Sequence, residues 1–211
     1  MFGRCEKRGR RTDAGFVTVD ARREKIERVV QNRQRGVVVV LEDIHDPHNV
    51  AAILRTCDAF GFQQIVCVYE KEEYVNPKRV GKSSSSSANK WLDFTIYRSS
   101  AECASALKKA GYRLFVTMLD ATAQSLYDTD MTTEPIALVF GNEHRGVSDV
   151  MCQASDVKLY IPMRGMVQSL NVSVTAAICL SELSRQRGAS KKDYSLPKKE
   201  REKLAEDFLK R

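Results

Sequence analysis

The feature that most limits the possible folds is a run of β-branched residues, VVVVLEDI, at 37–44. Consecutive valines suit a strand that is buried on both faces, and such strands are typical of parallel sheets. The other predicted strands are 65–69, 112–119, 135–140 and 158–162. The predicted helices between them are 50–60, 100–110, 147–154 and 170–187. This alternation predicts an α/β fold, with a parallel sheet flanked by helices.

The positive charge of the chain is concentrated at its two ends. Residues 1–35 carry eleven Lys and Arg against five Asp and Glu, and residues 185–211 carry ten against five. Amphipathic segments at 20–35 and 200–209 predict a short basic helix at each end. Lys and Arg displace the counterions that surround phosphates, so such ends suit a polyanion. Charge alone leaves two interpretations open, a nucleic-acid-binding surface or ordinary solvated helices.

The composition indicates a cytoplasmic protein. The longest apolar run, 37–41, is too short to cross a membrane, and no apolar stretch follows the basic residues at 1–11 as it would in a secretory signal. The six cysteines form no C-x-x-C pair, and several lie in apolar stretches, so we expect reduced, buried thiols. The length of 211 residues suits one domain with short appendages. We therefore expect a basic extension at 1–35, a main domain at 36–187 and a basic tail at 188–211.

Polar clusters follow three of the predicted strands, at the ends where parallel sheets bind ligands. After the first strand, Asn49 is placed to cap a helix. Arg55 lies further along that helix among apolar residues, and a partly desolvated guanidinium there would bind a phosphate or carboxylate strongly. A structural salt bridge is the alternative for Arg55 at this point.

The other two clusters combine glycines with polar side chains. In G141-N-E-H-R-G146, two glycines let the backbone turn tightly and approach a ligand, and Glu143 lies between them. In I161-P-M-R-G-M-V-Q-S-L-N, either Ser169 or Asn171 is placed to cap the last long helix. A plain turn and simple helix capping remain open as alternative interpretations.

Other chemistries have less support in the sequence. His45 and His48 flank Asp46, but no third ligand stands at a usual spacing, so we expect no metal site. A Ser–His–Asp hydrolase would need G-x-S-x-G at a strand-to-helix turn, and the chain has none. The five serines at 83–87 predict a flexible loop.

Taken together, the three clusters resemble the motifs of the SPOUT methyltransferases, and specifically of the SpoU/TrmH family. The matching segments are N49-x-x-x-x-x-R55-T56, F140-G-x-E143-x-x-G146-x-S148 and I161-P-M-x-G-x-x-x-S169-L-N171-V-S173-V. The resemblance implies a deep C-terminal trefoil knot, a rare exception to the rule that chains are unknotted. It also implies that the knot loops bind S-adenosylmethionine and that the protein is a homodimer with its site near the interface. The basic terminal helices resemble those of the tRNA (guanosine-2′-O)-methyltransferase branch, which implies tRNA as the partner.

The resemblance also implies roles for individual residues. The implied catalytic residues are Arg55, Asn49, Glu143, Ser169 and Asn171, and the implied cofactor-binding residues are Thr117, Met118, Gly141, Ile161 and Leu170. A ribose 2′-hydroxyl is a poor nucleophile until it loses its proton, but an arginine side chain is almost always protonated. We therefore expect Arg55 to anchor an RNA phosphate and to stabilise the developing alkoxide.

The expected function is S-adenosylmethionine-dependent 2′-O-methylation of tRNA, at guanosine 18 in the D-loop. Methylation of ribosomal RNA is the alternative within the same chemistry. A non-catalytic RNA-binding protein is the alternative from another class, although no motif residue is missing. An α/β enzyme acting on a small molecule fits poorly with two basic ends.

Overall fold

A computed structural model describes residues 19–80, 88–133 and 135–211 of the chain. The basic segment at 1–11, Cys5 and the predicted loop of serines at 83–87 lie outside the described residues. These three ranges form a central sheet that is covered by helices on both faces.

The strands of the described residues form one parallel sheet in the order β3-β2-β1-β6-β4-β7-β5. The strands are β1 (Gln34–Glu42), β2 (Phe62–Val68), β3 (Asp93–Tyr97), β4 (Arg113–Thr117), β5 (Gln124–Ser125), β6 (Ile136–Phe140) and β7 (Val157–Tyr160). The helices are α1 (Val19–Gln31), α2 (Pro47–Ala59), α3 (Ser100–Lys109), α4 (Asp149–Ala154), α5 (Val172–Ala189) and α6 (Lys198–Lys210). None of these helices combines the length and apolar character that crossing a bilayer requires. The predicted α/β fold is confirmed, and the knot stays a prediction.

The central strand β1 is buried on both faces because its side chains alternate between two layers of helices. Val39 and Leu41 pack in the apolar cluster that contains α2 and α5, whereas Val38 and Val40 pack in the cluster that contains α3 and α4. Burying an aliphatic side chain of this size contributes about 1.5–3 kcal/mol relative to leaving it in water. This double burial explains why the strand appears in the sequence as an unbroken apolar run.

The boundaries near the N-terminal side differ from the prediction. Helix α1 ends at Gln31, and β1 begins at Gln34 rather than at 37. Residues 34 and 35 therefore join the sheet and are not part of a terminal helix.

Two strands of the structure are absent from the sequence-based prediction. Strand β3, with the sequence DFTIY, forms one edge of the sheet, and the two-residue β5 forms the other. An edge strand has a neighbour on one side only, and β3 has no fully buried side chain. Neither strand therefore has the apolar run that marks a central strand.

The helices at the two ends of the described chain pack against each other. Ile26 and Val30 of α1 contact Leu204 and Phe208 of α6 in a separate apolar cluster. The buried guanidinium of Arg33 lies over the Phe208 ring and pairs with a carboxylate of α2. Both predicted terminal helices are therefore present, and Arg33 fixes them to the main domain.

The cysteines of the described residues are free thiols. Burial raises the pKa of the Cys67 and Cys179 thiols to about 12, so neither forms appreciable thiolate at neutral pH. Cys152 is partly exposed, whereas the other cysteines of the described residues are buried as expected.

Candidate active site

A cleft of about 560 Å³ opens at the carboxyl edge of the sheet, where β4, β6 and β7 end. Parallel strands present ligand sites at this edge because the loops that follow them meet there. The cleft, called the main cleft below, is lined by all five residues predicted to bind the cofactor: Thr117, Met118, Gly141, Ile161 and Leu170. The fold thus brings together three loops that are distant in sequence.

The loop between β7 and α5 leaves its polar groups available. Residues 163–170 make no hydrogen bond with any other residue that the structure describes. Main-chain N–H and C=O groups almost always find a partner, so those of this loop bond either to water or to a ligand. The apolar side chains of Ile161, Leu170 and Val172 line the same cleft. The combination suits a ligand with an apolar ring and polar edges.

Two glycines shape the loop after β6, each for a different reason. A Cβ on Gly141 would overlap the backbone of Gly146 and Val147. Gly146 itself has a φ of +70°, a conformation that residues with a side chain rarely adopt. Main-chain hydrogen bonds of 3.0 and 2.8 Å join Asn142 and Gly146 and close the loop. Gly141 therefore makes room for the chain itself and not only for a ligand.

Glu143, at the tip of this loop, connects it to α2 and α5. Its carboxylate accepts hydrogen bonds from the N–H groups of His45 and Asp46, at 2.9 and 3.2 Å, and from Asn49 Nδ2 at 2.8 Å. Asn49 Oδ1 in turn accepts a hydrogen bond from Asn171 Nδ2 at 3.0 Å. Three of the five residues predicted to be catalytic thus form one connected network beside the main cleft.

The network keeps Glu143 ionised. Partial burial opposes ionisation, but the hydrogen bonds from Asn49, His45 and Asp46 outweigh it and hold the pKa of the Glu143 carboxyl below its ordinary value. The positive end of the α2 dipole acts in the same direction. The main cleft therefore has a fixed negative charge in its wall at neutral pH.

Asn49 lies inside α2 and does not cap it, which corrects the prediction. The cap is Asp46, whose side chain accepts a hydrogen bond from the His48 N–H at 2.8 Å. Pro47 occupies the first helical position, where its fixed φ and missing N–H suit a helix start. Because Asp46 takes the capping role, the Asn49 side chain is free to join the network.

Of the two predicted caps for the last long helix, Asn171 is the one observed. Its Oδ1 accepts a hydrogen bond from the Ser173 N–H at 2.8 Å. Ser169 is exposed in the lining of the main cleft and has no hydrogen-bond partner among the described residues. Its hydroxyl is therefore available to a ligand.

Arg55 is exposed, which corrects the expectation that it is partly desolvated. Ile53 and Leu54 of α2 are fully buried, but Ala52 shares the exposure of Arg55. No hydrogen bond or ion pair joins the Arg55 guanidinium to another described residue. Arg55 does not line the main cleft of its own chain, so its charge is free to meet a ligand or another chain.

Glu72 is a residue of this region that the sequence analysis missed. Its carboxylate binds His45 Nδ1 at 2.8 Å and Arg145 Nη2 at 2.6 Å. Its position is set by Asp43, whose carboxylate accepts hydrogen bonds from the N–H groups of residues 70–72. Asp43 adopts a φ of +50°, which is uncommon for a residue other than glycine. Only the pairing of β1 with β2 brings Asp43 and Glu72 together, so no local motif marks them.

Comparison with known proteins gives consistent matches. Residues 36–181 match the SpoU rRNA Methylase family. The chain is 40% identical over 171 residues to the tRNA (guanosine(18)-2′-O)-methyltransferase of Thermus thermophilus, which covers 80% of this chain and 84% of that protein. The crystal structure of the Aquifex aeolicus TrmH/SpoU tRNA modifying enzyme aligns with a TM-score of 0.80 at 30% identity, over 90% of this chain and 96% of that one. The SpoU methyltransferase AviRb from Streptomyces viridochromogenes, in complex with the cofactor AdoMet, aligns with a TM-score of 0.63 at 28% identity, over 76% of this chain and 64% of that one.

Proposed function

Because this chain belongs to the SpoU methylase family, we propose that it methylates the ribose 2′-oxygen of guanosine 18 in the D-loop of tRNA, using S-adenosylmethionine. The observation that carries the proposal is the network of Glu143, Asn49 and Asn171 beside the main cleft. The relative from Thermus thermophilus is named for this reaction, and the similarity extends over most of both chains.

The lining of the main cleft suits S-adenosylmethionine. Its apolar lining suits an adenine ring, and the main-chain groups of residues 163–170, which bond to no other described residue, suit the polar edges of the cofactor. The ionised Glu143 places a negative charge near a ligand that carries a positive sulfur. When bound, the cofactor supplies a methyl group that is already electrophilic.

The protein residues then have to activate and align the ribose oxygen. Arg55, whose guanidinium pairs with no described residue, would anchor an RNA phosphate and stabilise negative charge on the 2′-oxygen. Asn49 and Glu143 would orient the ribose, and Ser169 and Asn171 would shape the cofactor loop. Alignment of this kind accounts for a large part of the rate enhancement in group-transfer reactions.

The experiment that tests the proposal measures tritium transfer from labelled S-adenosylmethionine to unmodified total tRNA and to ribosomal RNA. We expect label in tRNA, recovered after nuclease digestion as 2′-O-methylguanosine from the D-loop. Label in ribosomal RNA alone would support the same methyl transfer but show that the substrate is ribosomal RNA and not tRNA. Binding of the cofactor without transfer to either RNA would favour the non-catalytic alternative and contradict the proposal.

The surface formed by α1 and α6 is proposed to bind the tRNA backbone. The two helices pack together through their apolar faces, which leaves their charged side chains outside, nine Lys and Arg against seven Asp and Glu. The proposed functional parts are 1–35, 36–187 and 188–211, although residues 34 and 35 belong to the sheet and α5 continues to Ala189. A tRNA substrate also supports the proposed cytoplasmic location.

A homodimer is proposed because the loop and the helix that line the main cleft also carry exposed apolar side chains. Met166 and Val167 in the loop after β7 are 100% and 63% exposed, and Val174 on α5 is 45% exposed. Exposed apolar groups that lie close together mark interaction surfaces.

Val174→Lys is expected to convert the dimer to a monomer of 23.8 kDa, as measured by light scattering after gel filtration. Burying a lysine ammonium in an apolar interface costs several kcal/mol unless the charge is paired. The matched control is Val150→Lys on α4, where the valine has a similar exposure of 43%. A monomeric mass for the unchanged protein would contradict the dimer.

A further inference from the structure

A second cavity, of about 260 Å³, lies between the start of α2 and the loop that follows β2. We call it the side pocket. Its apolar lining includes Ile44, Pro47, Val50, Tyr69, Val75 and Val80, and its polar lining is His45, Glu72 and Glu73.

The side pocket and the main cleft share a boundary. The His45 N–H donates to Glu143, which lines the main cleft, and Glu72 pairs with Arg145, which lines it as well. A ribose held beside Glu143 and Asn49 therefore has its base within reach of the side pocket.

We propose that the side pocket binds the guanine base of the target nucleotide and that Glu73 and His45 recognise it. The proposal rests on the function proposed above and adds a binding site for the base. Enzymes that act on a single nucleotide commonly hold its unstacked base in a pocket and read its Watson–Crick edge by hydrogen bonds.

Glu73 supplies the acceptors that guanine needs. The Watson–Crick edge of guanine carries two donors side by side, N1–H and the N2 amino group, and an ionised carboxylate is an acceptor with two oxygens. Glu73 is exposed, and its carboxylate has no hydrogen bond or ion pair with any described residue. Its neighbour Glu72 is already occupied by His45 and Arg145, so Glu73 is the free carboxylate among the described residues that line the pocket.

His45 supplies a donor for the guanine O6 and N7 acceptors. Its Nδ1 is held by Glu72, and no described residue bonds to its Nε2. The hydrogen bond and the negative charge of Glu72 raise the pKa of His45, Glu143 adds to this effect, and Arg145 opposes it. In the protonated imidazole both nitrogens donate, so Nε2–H can bond to the base while Nδ1–H stays on Glu72.

The same arrangement disfavours adenine. Adenine presents an acceptor at N1, but the Glu73 carboxylate facing it has only acceptors. Adenine also presents an amino donor in place of O6, opposite the donor of His45. With adenine in the pocket, polar groups of the base and of the protein would lose their bonds to water without gaining others. Such unpaired groups strongly disfavour binding of the wrong base.

The test compares kcat/KM on two transcripts of one tRNA, with guanosine or adenosine at the target position. Glu73→Gln is expected to lower kcat/KM on the guanosine transcript about tenfold, as for the loss of one bidentate contact. The ratio of kcat/KM on the guanosine transcript to kcat/KM on the adenosine transcript should also fall, because the glutamine amide can donate to adenine N1. His45→Ala should lower kcat/KM on guanosine while it keeps the main-chain bond to Glu143. Glu102→Gln, at an exposed glutamate of α3, serves as the matched control.

Cofactor affinity and the thermal unfolding temperature should be unchanged in each variant, which separates base recognition from a structural defect. An unchanged guanosine preference in Glu73→Gln, with the unchanged protein active on tRNA, would overturn this inference alone. Absence of methyl transfer by the unchanged protein to either transcript would overturn the proposed function and this inference together.

Discussion

Arg55→Ala is expected to lower kcat for tRNA methylation by about 10²–10³-fold, the usual cost of removing one donor that stabilises a developing oxyanion. The fold should be unaffected, because the Arg55 side chain is exposed and pairs with no described residue. Cofactor affinity should also be unchanged, because Arg55 does not line the main cleft. Steady-state transfer of labelled methyl groups, together with calorimetric titration of the cofactor, measures the two effects separately.

Two controls make the Arg55 result specific. Lys109→Ala removes an exposed cation from the end of another helix, α3, and should leave kcat near its original value. Arg55→Lys keeps the charge but loses the planar fork of donors, so it should recover only part of the activity. Normal methylation by Arg55→Ala would show that the site has been assigned to the wrong residues.

The central part of the fold could be predicted because burial on both faces leaves a mark in the sequence. The valines of β1 form an unbroken apolar run, since alternate side chains face opposite helix layers. Strand β3 lies at the edge and is only half-buried, so its sequence, DFTIY, contains strand-favouring residues but no long apolar run. A threading of the chain, such as a knot, has no periodicity at all, and only the family resemblance suggests one.

The candidate site could be predicted in part, for a related reason. Glu143 and Asn171 lie in motifs with recognisable spacing, but the spacing does not say which helix face a residue occupies. Arg55 was expected to be partly buried because its neighbours are apolar, yet Leu54 points into the core and Arg55 points away from it. Glu72 was missed because its place depends on the pairing of β1 with β2, which brings it to Asp43.

Gly141→Ala is expected to have the largest effect on the main cleft itself. The added Cβ would overlap the backbone of Gly146 and Val147, and backbone cannot rotate away as a side chain can. The loop must therefore open, which breaks the paired main-chain bonds between Asn142 and Gly146. We expect a loss of about 1–3 kcal/mol in the free energy of unfolding, as for other overpacked sites. Chemical denaturation measures this loss.

The same change should weaken cofactor binding at least about tenfold, which corresponds to about 1.4 kcal/mol. The reason is that Glu143 lies within the displaced loop, so its bonds to Asn49 and to the start of α2 are lost together. Gly188→Ala, near the end of α5 and away from the main cleft, is the matched control, because a Cβ there meets no atom within 4 Å. Gly146→Ala also has open space but must hold a φ of +70°, so it should cost about 1–2 kcal/mol through backbone strain alone. If Gly141→Ala bound the cofactor as tightly as Gly188→Ala does, the closed loop would not be what shapes the main cleft.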